Sequence, residues 1–354
     1  MAESAWKWAK FSSNRIFFMD SQIDAKNAPI LVPSPSQDGT VRVLPDEWKV
    51  PLKVSDFPSI VGKRDLELEY QIVRALTEDE RMQNRIFRDD SLKSKNRYRD
   101  MLPFRENRVF LSNGAYINAS YMVNADRCNP KAFIASQGPM KSTIADHWDM
   151  IWNENLRCVL TIGRLTEGTT EKIALYWPEA AGEIMIVTGP NADEFRIKCI
   201  QESEVACGLW KRSLELSRNG MDQRIVSHFH FIAWPDHGSL PPETMILLAS
   251  LVKEMRNVSE SSAVLVHCSA GVGRTGTVLA IANCVESVEA QLAKHKGRLD
   301  ECWLSIMTTV LNLRECRVHI VERTWQYESI YNAIAELAKQ HTPGSSVFVP
   351  PIAF

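Results

Sequence analysis

One nine-residue string constrains this 354-residue chain more than any other: His267 to Thr275 reads HCSAGVGRT. The apolar run Ala263-Val264-Leu265-Val266 leads into it, and a helical pattern begins at Thr275. Three of the five residues between Cys268 and Arg274 are small: Ala270, Gly271 and Gly273. Short apolar runs bounded by glycine read as buried strands, and a glycine cluster before a periodic segment reads as a tight turn into a helix. The string therefore predicts strand, loop and helix N-terminus, with a thiol at the loop's entrance and a guanidinium at its exit.

Each part of that arrangement has a chemical use. A thiolate is the nucleophilic form of cysteine, and a helix N-terminus or nearby cation lowers its pKa from about 8.5 toward 3.5–7.5. Small residues let successive backbone N–H groups turn inward and form a nest for an anion. Arg274 presents a planar fork that pairs with two phosphate oxygens at once. Thr275 places a hydroxyl beside the thiol, suited to stabilising sulfur as a leaving group. Together they bind a phosphoryl dianion and attack it with sulfur. A nucleotide-binding P-loop requires Lys and then Ser or Thr after its last Gly, whereas Arg274 follows Gly273. A cysteine after an apolar strand is more often an inert core residue, but the whole string is too specific for that.

Bulk properties fit a soluble globular protein. Apolar residues make up 45% and charged residues 24%, with a formal net charge of −2. Neither nucleic acid nor an acidic membrane surface is indicated as a partner. The eight cysteines show no C-x-x-C pairs, so neither a zinc site nor a disulfide framework is expected. Free thiols fit a reducing compartment, cytoplasmic or nuclear. The N-terminal MAESAWKWAKF lacks the apolar centre of a signal peptide. No stretch has the roughly 18–20 apolar residues of a membrane span.

Along the chain, residues 1–50 read as a partly irregular N-terminal extension, rich in proline yet carrying Trp6, Trp8 and Phe11. Residues 51–340 read as one domain and 341–354 as a loose proline-rich tail. Helices are expected at Leu66–Leu76, behind a cap at Ser142 or Thr143, after Pro241-Pro242, from Thr275 to about Leu292, near Leu299–Leu313 and over Arg323–Ala338. Strands are expected at Arg108–Leu111, Tyr116–Val123, Ala132–Ser136, Cys158–Ile162 and Val264–His267, with antiparallel strands between Ile173 and Ala233. The order predicts an α/β (α+β) domain with a mixed, twisted sheet flanked by helices.

Sulfur attack on a phosphate ester needs a proton donor for the departing oxygen. Asp236 is the candidate, in the stiff turn sequence Trp234-Pro235-Asp236-His237-Gly238. A third segment, Lys95-Asn96-Arg97-Tyr98-Arg99-Asp100, combines basic residues with an aromatic and an acid. Tyr98 would wall a slot for an aromatic ring, Asp100 would accept hydrogen bonds from substrate amides, and Arg99 would favour acidic neighbours.

With these three segments the chain resembles the catalytic domain of a tyrosine-specific protein tyrosine phosphatase of the non-receptor, single-domain kind. NGAYINASY (113–121), FIASQGP (133–139), the Glu167…Lys172 loop ahead of Tyr176-Trp177-Pro178, and Arg314-x-x-Arg317 match in the same order. The resemblance runs from about Val54 to Ala338. It implies a highly twisted mixed sheet with helices on both faces, and hydrolysis of phosphotyrosine through a phosphocysteine on Cys268. It assigns the phosphoryl group to Arg274 and the amides of Ser269 to Gly273. Asp236 becomes general acid and then general base, Tyr98 and Asp100 grip the substrate, and Thr275 aids departure of sulfur. No cofactor or metal is implied; the partners are phosphotyrosine proteins, and the chain is expected to act as a monomer.

The chain departs from the family in its last loop, where two glutamines are usual. Gln326 keeps the second; Glu322 stands in place of the first, which positions the hydrolytic water. A carboxylate beside a phosphoryl group costs about 4 kcal/mol at ~4 Å for an effective dielectric near ~20. Protonation or pairing with Arg323 would relieve this. The substitution predicts intact thiol-phosphate formation and a slowed second step. It also raises an alternative, a phosphotyrosine-trapping pseudophosphatase. A dual-specificity phosphatase is a second alternative, opposed by the deep slot that Tyr98 implies. His319 is expected to narrow any secondary phosphotyrosine pocket. Cys268 is expected to be an exposed, peroxide-sensitive thiolate. His228 and His230, two apart on a strand, are a weak metal candidate better read as structural.

Overall fold

The structure is a computed structural model. It describes residues 51–341 apart from 113, 190, 191, 236, 237, 260 and 261, together with three short strands nearer the N-terminus. These three, Trp8–Lys10, Leu31–Pro33 and Thr40–Val43, pair antiparallel with Thr40–Val43 in the middle. The rest of the proposed extension, and the tail after His341, lie outside the described residues.

Eight strands build one mixed sheet: β1 (Ala119–Met122), β2 (Phe133–Ser136), β3 (Cys158–Ile162), β4 (Ile184–Thr188), β5 (Glu194–Ala206), β6 (Leu209–Arg218), β7 (Met221–Phe231) and β8 (Val264–His267). Their order across the sheet is β4-β5-β6-β7-β3-β8-β2-β1. The four strands β7, β3, β8 and β2 run parallel to one another. An antiparallel meander flanks them on one side and antiparallel β1 on the other.

Residues of β3, β8 and β2 are buried on both faces, which explains why their sequences are continuous apolar runs rather than alternating ones. Alternate side chains still serve opposite cores. Cys158, Leu160 and Ile162 join Val264 and Val266 on one face, while Val159 and Leu265 join Ile134 on the other. The first face is covered by α1 (Leu66–Thr77), α3 (Pro242–Val258), α4 (Gly273–Lys294), α5 (Ile306–Arg314) and α6 (Thr324–Gln340). The second is covered by α2 (Ile144–Asn153), whose Trp148 and Ile151 pack with Tyr176 and Trp177. Helices on both faces of a twisted mixed sheet are the architecture expected from the sequence.

Three local expectations are corrected. Arg108–Leu111 is no strand: Val109 N–H bonds to the Ala119 carbonyl (3.0 Å), but Phe110 turns to solvent and the ladder ends. Thr143 does not cap α2 with its side chain. Its hydroxyl instead accepts from the Met140 N–H (2.9 Å), closing the turn that precedes the helix. The segment Leu299–Leu313 is not one helix. Trp303–Leu304 pairs with Leu52–Lys53, and α5 starts only after Ser305, whose hydroxyl caps the Thr308 N–H at 3.0 Å.

Candidate active site

The carboxyl ends of the four parallel strands converge. Ser136 leads to Gln137 from β2, Ile162 to Gly163 from β3, Phe231 toward Trp234 from β7, and His267 to Cys268 from β8. Crevices at such strand ends are where open α/β sheets place their ligands. The loop from Cys268 to Gly273 lies there and runs directly into α4, a 22-residue helix with no side-chain cap at Val272. Its first-turn amides and its dipole favour an anion at this end.

The loop's curl rests on close backbone approach. Gly271 adopts φ +70°, and a methyl group there would lie 1.9 Å from the Ser136 carbonyl oxygen. Its N–H points at Cys268 Sγ (3.3 Å). Arg317, buried beneath the loop, donates from Nε to the Gly271 carbonyl (2.9 Å) and from Nη2 to the Ala270 carbonyl (3.1 Å). Those carbonyls are thereby held toward Arg317, on the side opposite the Gly271 N–H that faces Cys268 Sγ. Burial pushes the Arg317 guanidinium down to about 10 against the opposing pull of Tyr116 and Cys268. Asn118 Oδ1 (2.8 Å) and Ser120 Oγ (3.2 Å) hold the guanidinium from below.

His267 holds the other side of Cys268. Its Nδ1–H donates to the Cys268 carbonyl (3.1 Å), so Nε2 is the acceptor, receiving the Tyr176 hydroxyl at 2.7 Å. Burial lowers this imidazole to about 4, and it is neutral at pH 7. Thr161 Oγ1 stands 2.9 Å from the same nitrogen and 3.0 Å from His228 Nε2. His230 Nε2 donates to the Gly163 carbonyl (2.9 Å), and the Trp177 ring packs against both His228 and His230. The pair is thus built into the packing behind His267.

Arg274 reaches Glu167 Oε1 at 2.6 Å and the Pro235 carbonyl at 3.3 Å. Lys172 Nζ lies 3.6 Å from the other Glu167 oxygen. Glu167 thus fixes the guanidinium at the loop's exit. The Trp234 indole is buried and donates to the Gly238 carbonyl (3.3 Å), tying the two ends of the Pro-Asp turn together. Asp236 itself lies outside the described residues.

Tyr98 is half-buried, and its hydroxyl bonds to Ser269 Oγ (2.9 Å), which in turn donates to the Lys172 carbonyl (3.0 Å). Arg97 pins this segment: its N–H donates to Gln137 Oε1 (3.0 Å) and its Nη2 to the Pro139 carbonyl (2.8 Å). Arg99 and Asp100 are exposed; they line a cavity of about 330 Å³ with Gln83, Ile86, Arg88, Leu102 and His319. His319, 3.5 Å from Glu78 Oε1, is therefore a wall of that cavity.

Thr275 Oγ1 is buried and has no hydrogen-bond partner among the described residues. Gln326 is buried, and its Oε1 accepts from the N–H groups of Glu322 (2.8 Å) and Arg323 (3.1 Å). Arg323 Nη2 lies 3.3 Å from Glu322 Oε1, so the pairing that would relieve the carboxylate is present. One expectation needs correction: Cys268 is not exposed but 4% accessible, since it follows directly on the buried strand β8 and belongs to the core beneath the loop.

Sequence reasoning singled out the loop, Tyr98, Asp100 and Glu322; in the structure Tyr98 reaches the loop through Ser269 and Glu322 lies by Gly273, whereas Asp100 lines the cavity beside His319. It gave no role to Arg317, Asn118, Tyr176 or Thr161. Those residues act through hydrogen bonds between distant segments, which no local pattern announces.

A family model described as "Protein-tyrosine phosphatase" matches residues 92–336. Receptor-type tyrosine-protein phosphatase C of Rattus norvegicus is 36% identical over 253 residues, covering 69% of this chain and 18% of its own length. Receptor-type tyrosine-protein phosphatase eta of Gallus gallus is 34% identical over 262 residues, covering 70% and 17%. The chain thus spans less than a fifth of the length of these relatives. Among solved structures, the catalytic domain of human protein tyrosine phosphatase non-receptor type 18 superposes with a TM-score of 0.68 at 25% identity, covering 80% of this chain and 99% of that one. A structure of PTPN18 with HER2 phosphopeptides gives 0.69 at 25% identity, covering 81% and 100%.

Proposed function

The chain belongs to the protein-tyrosine phosphatase family, and from that premise we propose that it hydrolyses phosphotyrosine in proteins through a phosphocysteine on Cys268. One observation carries the reading: the Gly271 N–H faces Cys268 Sγ while Arg317 draws the Ala270 and Gly271 carbonyls away. A nest of inward N–H groups closed by Arg274 is complementary to a phosphoryl group whose charge spreads over three oxygens in the transition state. In the first step sulfur attacks phosphorus and Asp236 gives a proton to the departing phenolic oxygen. In the second, water attacks phosphorus and sulfur leaves, stabilised by the Thr275 hydroxyl, which has no hydrogen-bond partner among the described residues.

Tyr98 and Asp100 would set the depth of the slot and hold the peptide, and the neighbour solved with phosphopeptides supports the same substrate class. Eight free cysteines support a reducing, cytoplasmic or nuclear setting.

The test is phosphate release from a phosphotyrosine peptide and its phosphothreonine counterpart, with Cys268→Ser as control. The reading expects turnover on phosphotyrosine alone, and binding without turnover in the variant. Equal rates on both peptides would make the chain a dual-specificity phosphatase. Binding with no release by the parent would make it a phosphotyrosine trap.

A further inference from the structure

Val321 is β-branched yet sits at φ +57°, a costly conformation that persists only where its surroundings impose it. They do. Its N–H donates to the Val272 carbonyl (3.1 Å), and its carbonyl accepts from Arg314 Nη2 (2.9 Å) and from the Tyr70 hydroxyl (2.8 Å). The consequence falls on the next residue. A methyl group placed on Gly273 would lie 2.6 Å from Gln326 Nε2 and 3.3 Å from Glu322 Oε2. Because Gln326 Oε1 is spent on two backbone N–H groups, its amide nitrogen faces the loop. Arg323 approaches Glu322 Oε1, and Oε2 is the oxygen toward Gly273. The N-terminus of the 17-residue α6 begins two residues later, and with Arg323 it offsets the repulsion between this carboxylate and a bound phosphoryl group. A hydrogen-bond donor and an anionic acceptor therefore stand side by side at the exit of the phosphate loop.

We propose that Glu322 is the general base of the second half-reaction, taking the proton of a water molecule that Gln326 helps to hold. The inference rests on the phosphocysteine reading above. The water oxygen bonds to phosphorus as the P–S bond breaks, and sulfur leaves as the Cys268 thiolate. The water proton passes to Glu322 Oε2 and then to solvent. This reverses the sense of the substitution as read from sequence: the carboxylate drives hydrolysis instead of slowing it, and relieves Asp236 of the base role.

Rapid-quench kinetics with p-nitrophenyl phosphate on the full chain and on Glu322→Gln decide the matter. The amide replacement keeps the shape and leaves both backbone bonds to Gln326 in place. The expected result is a burst of nitrophenol at a rate within about twofold of the parent, followed by turnover lowered roughly 10²–10⁴-fold, the range for losing a general base. Acid quench should trap phosphate on Cys268, the acid limb of the turnover profile should disappear, and Glu322→Asp should recover part of the rate. Unchanged or faster turnover in Glu322→Gln overturns the proposal, the faster result making the carboxylate a brake. Equal loss of burst and turnover overturns it too, by making the role structural. A parent enzyme that turns over with no trappable phosphocysteine defeats the underlying reading instead.

Discussion

Arg317 Nε and the Gly271 carbonyl oxygen meet at 2.9 Å, and that bond decides which way the phosphate loop faces. A buried cation beneath the loop pulls two carbonyls down. The N–H of one of these peptide units, that of Gly271, then faces Cys268 Sγ. The cation that organises the site never needs to touch substrate.

Arg317→Met should abolish the nest while leaving Cys268 and Arg274 in the chain. The Ala270 and Gly271 carbonyls, Asn118 and Ser120 would lose a charged donor, each at about 1–3 kcal/mol. Loss of at least about 3 kcal/mol in urea denaturation is expected, with kcat falling more than ~10²-fold. Near-parental kcat in a folded variant would show that the loop shapes itself.

Gly271→Ala is expected to fail for a geometric reason. The new methyl would sit 1.9 Å from the Ser136 carbonyl in a backbone already at φ +70°, and β2, buried along its whole length and paired on both sides, has no room to move. Phosphate affinity, read by competitive inhibition with vanadate or inorganic phosphate, should drop beyond detection. Retained inhibition would contradict the close approach.

Asp236→Ala should lower kcat about 10²–10⁴-fold on a phosphotyrosine peptide. The loss should shrink for aryl phosphates whose leaving group needs no proton. A constant loss across leaving groups would remove Asp236 from the first step.

Stability should fall as the solution is acidified from neutrality. Burial lowers His230 and His267 to about 4 and lowers His147 and His228 well below the usual histidine range. Unfolded imidazoles protonate near ~6.5. Between that value and 4 the unfolded chain holds more protons, so stability is full above ~6.5 and declines toward pH 4. Each such group contributes up to about 1.4 kcal/mol per pH unit inside the window. Glu78 acts lower down: its burial would raise it, but hydrogen bonds from His319 and Arg74 and the charge of Arg314 outweigh this and bring it to about 2. Its contribution is lost only below ~4.3. Urea midpoints at pH 7, 6 and 5 check this, and a flat profile would contradict the neutral histidine cluster.

The strands that carry the site were legible because burial on both faces writes a continuous apolar run, as in Cys158–Ile162 and Val264–His267. Their helices were legible from periodicity, except where a tertiary pairing intervened, as Trp303–Leu304 shows by breaking the expected Leu299–Leu313 helix. Edge segments were the least legible. Arg108–Leu111 has strand-forming residues, but only a few backbone groups find partners there.

HCSAGVGRT determined by itself a strand, a tight turn and a helix start with a thiol at the entrance and a guanidinium at the exit, since nine consecutive residues and their spacing set all of these. The placing of its supports was decided elsewhere. Arg317 lies 46 positions from Gly271, Tyr176 lies 91 from His267, and both make their bonds inside the fold. Glu322 shows the division most sharply. The sequence says that a carboxylate replaces an amide. The strained Val321, Arg314 and Gln326 decide that this carboxylate rests against Gly273, because long-range hydrogen bonds, and no local preference, hold the backbone there.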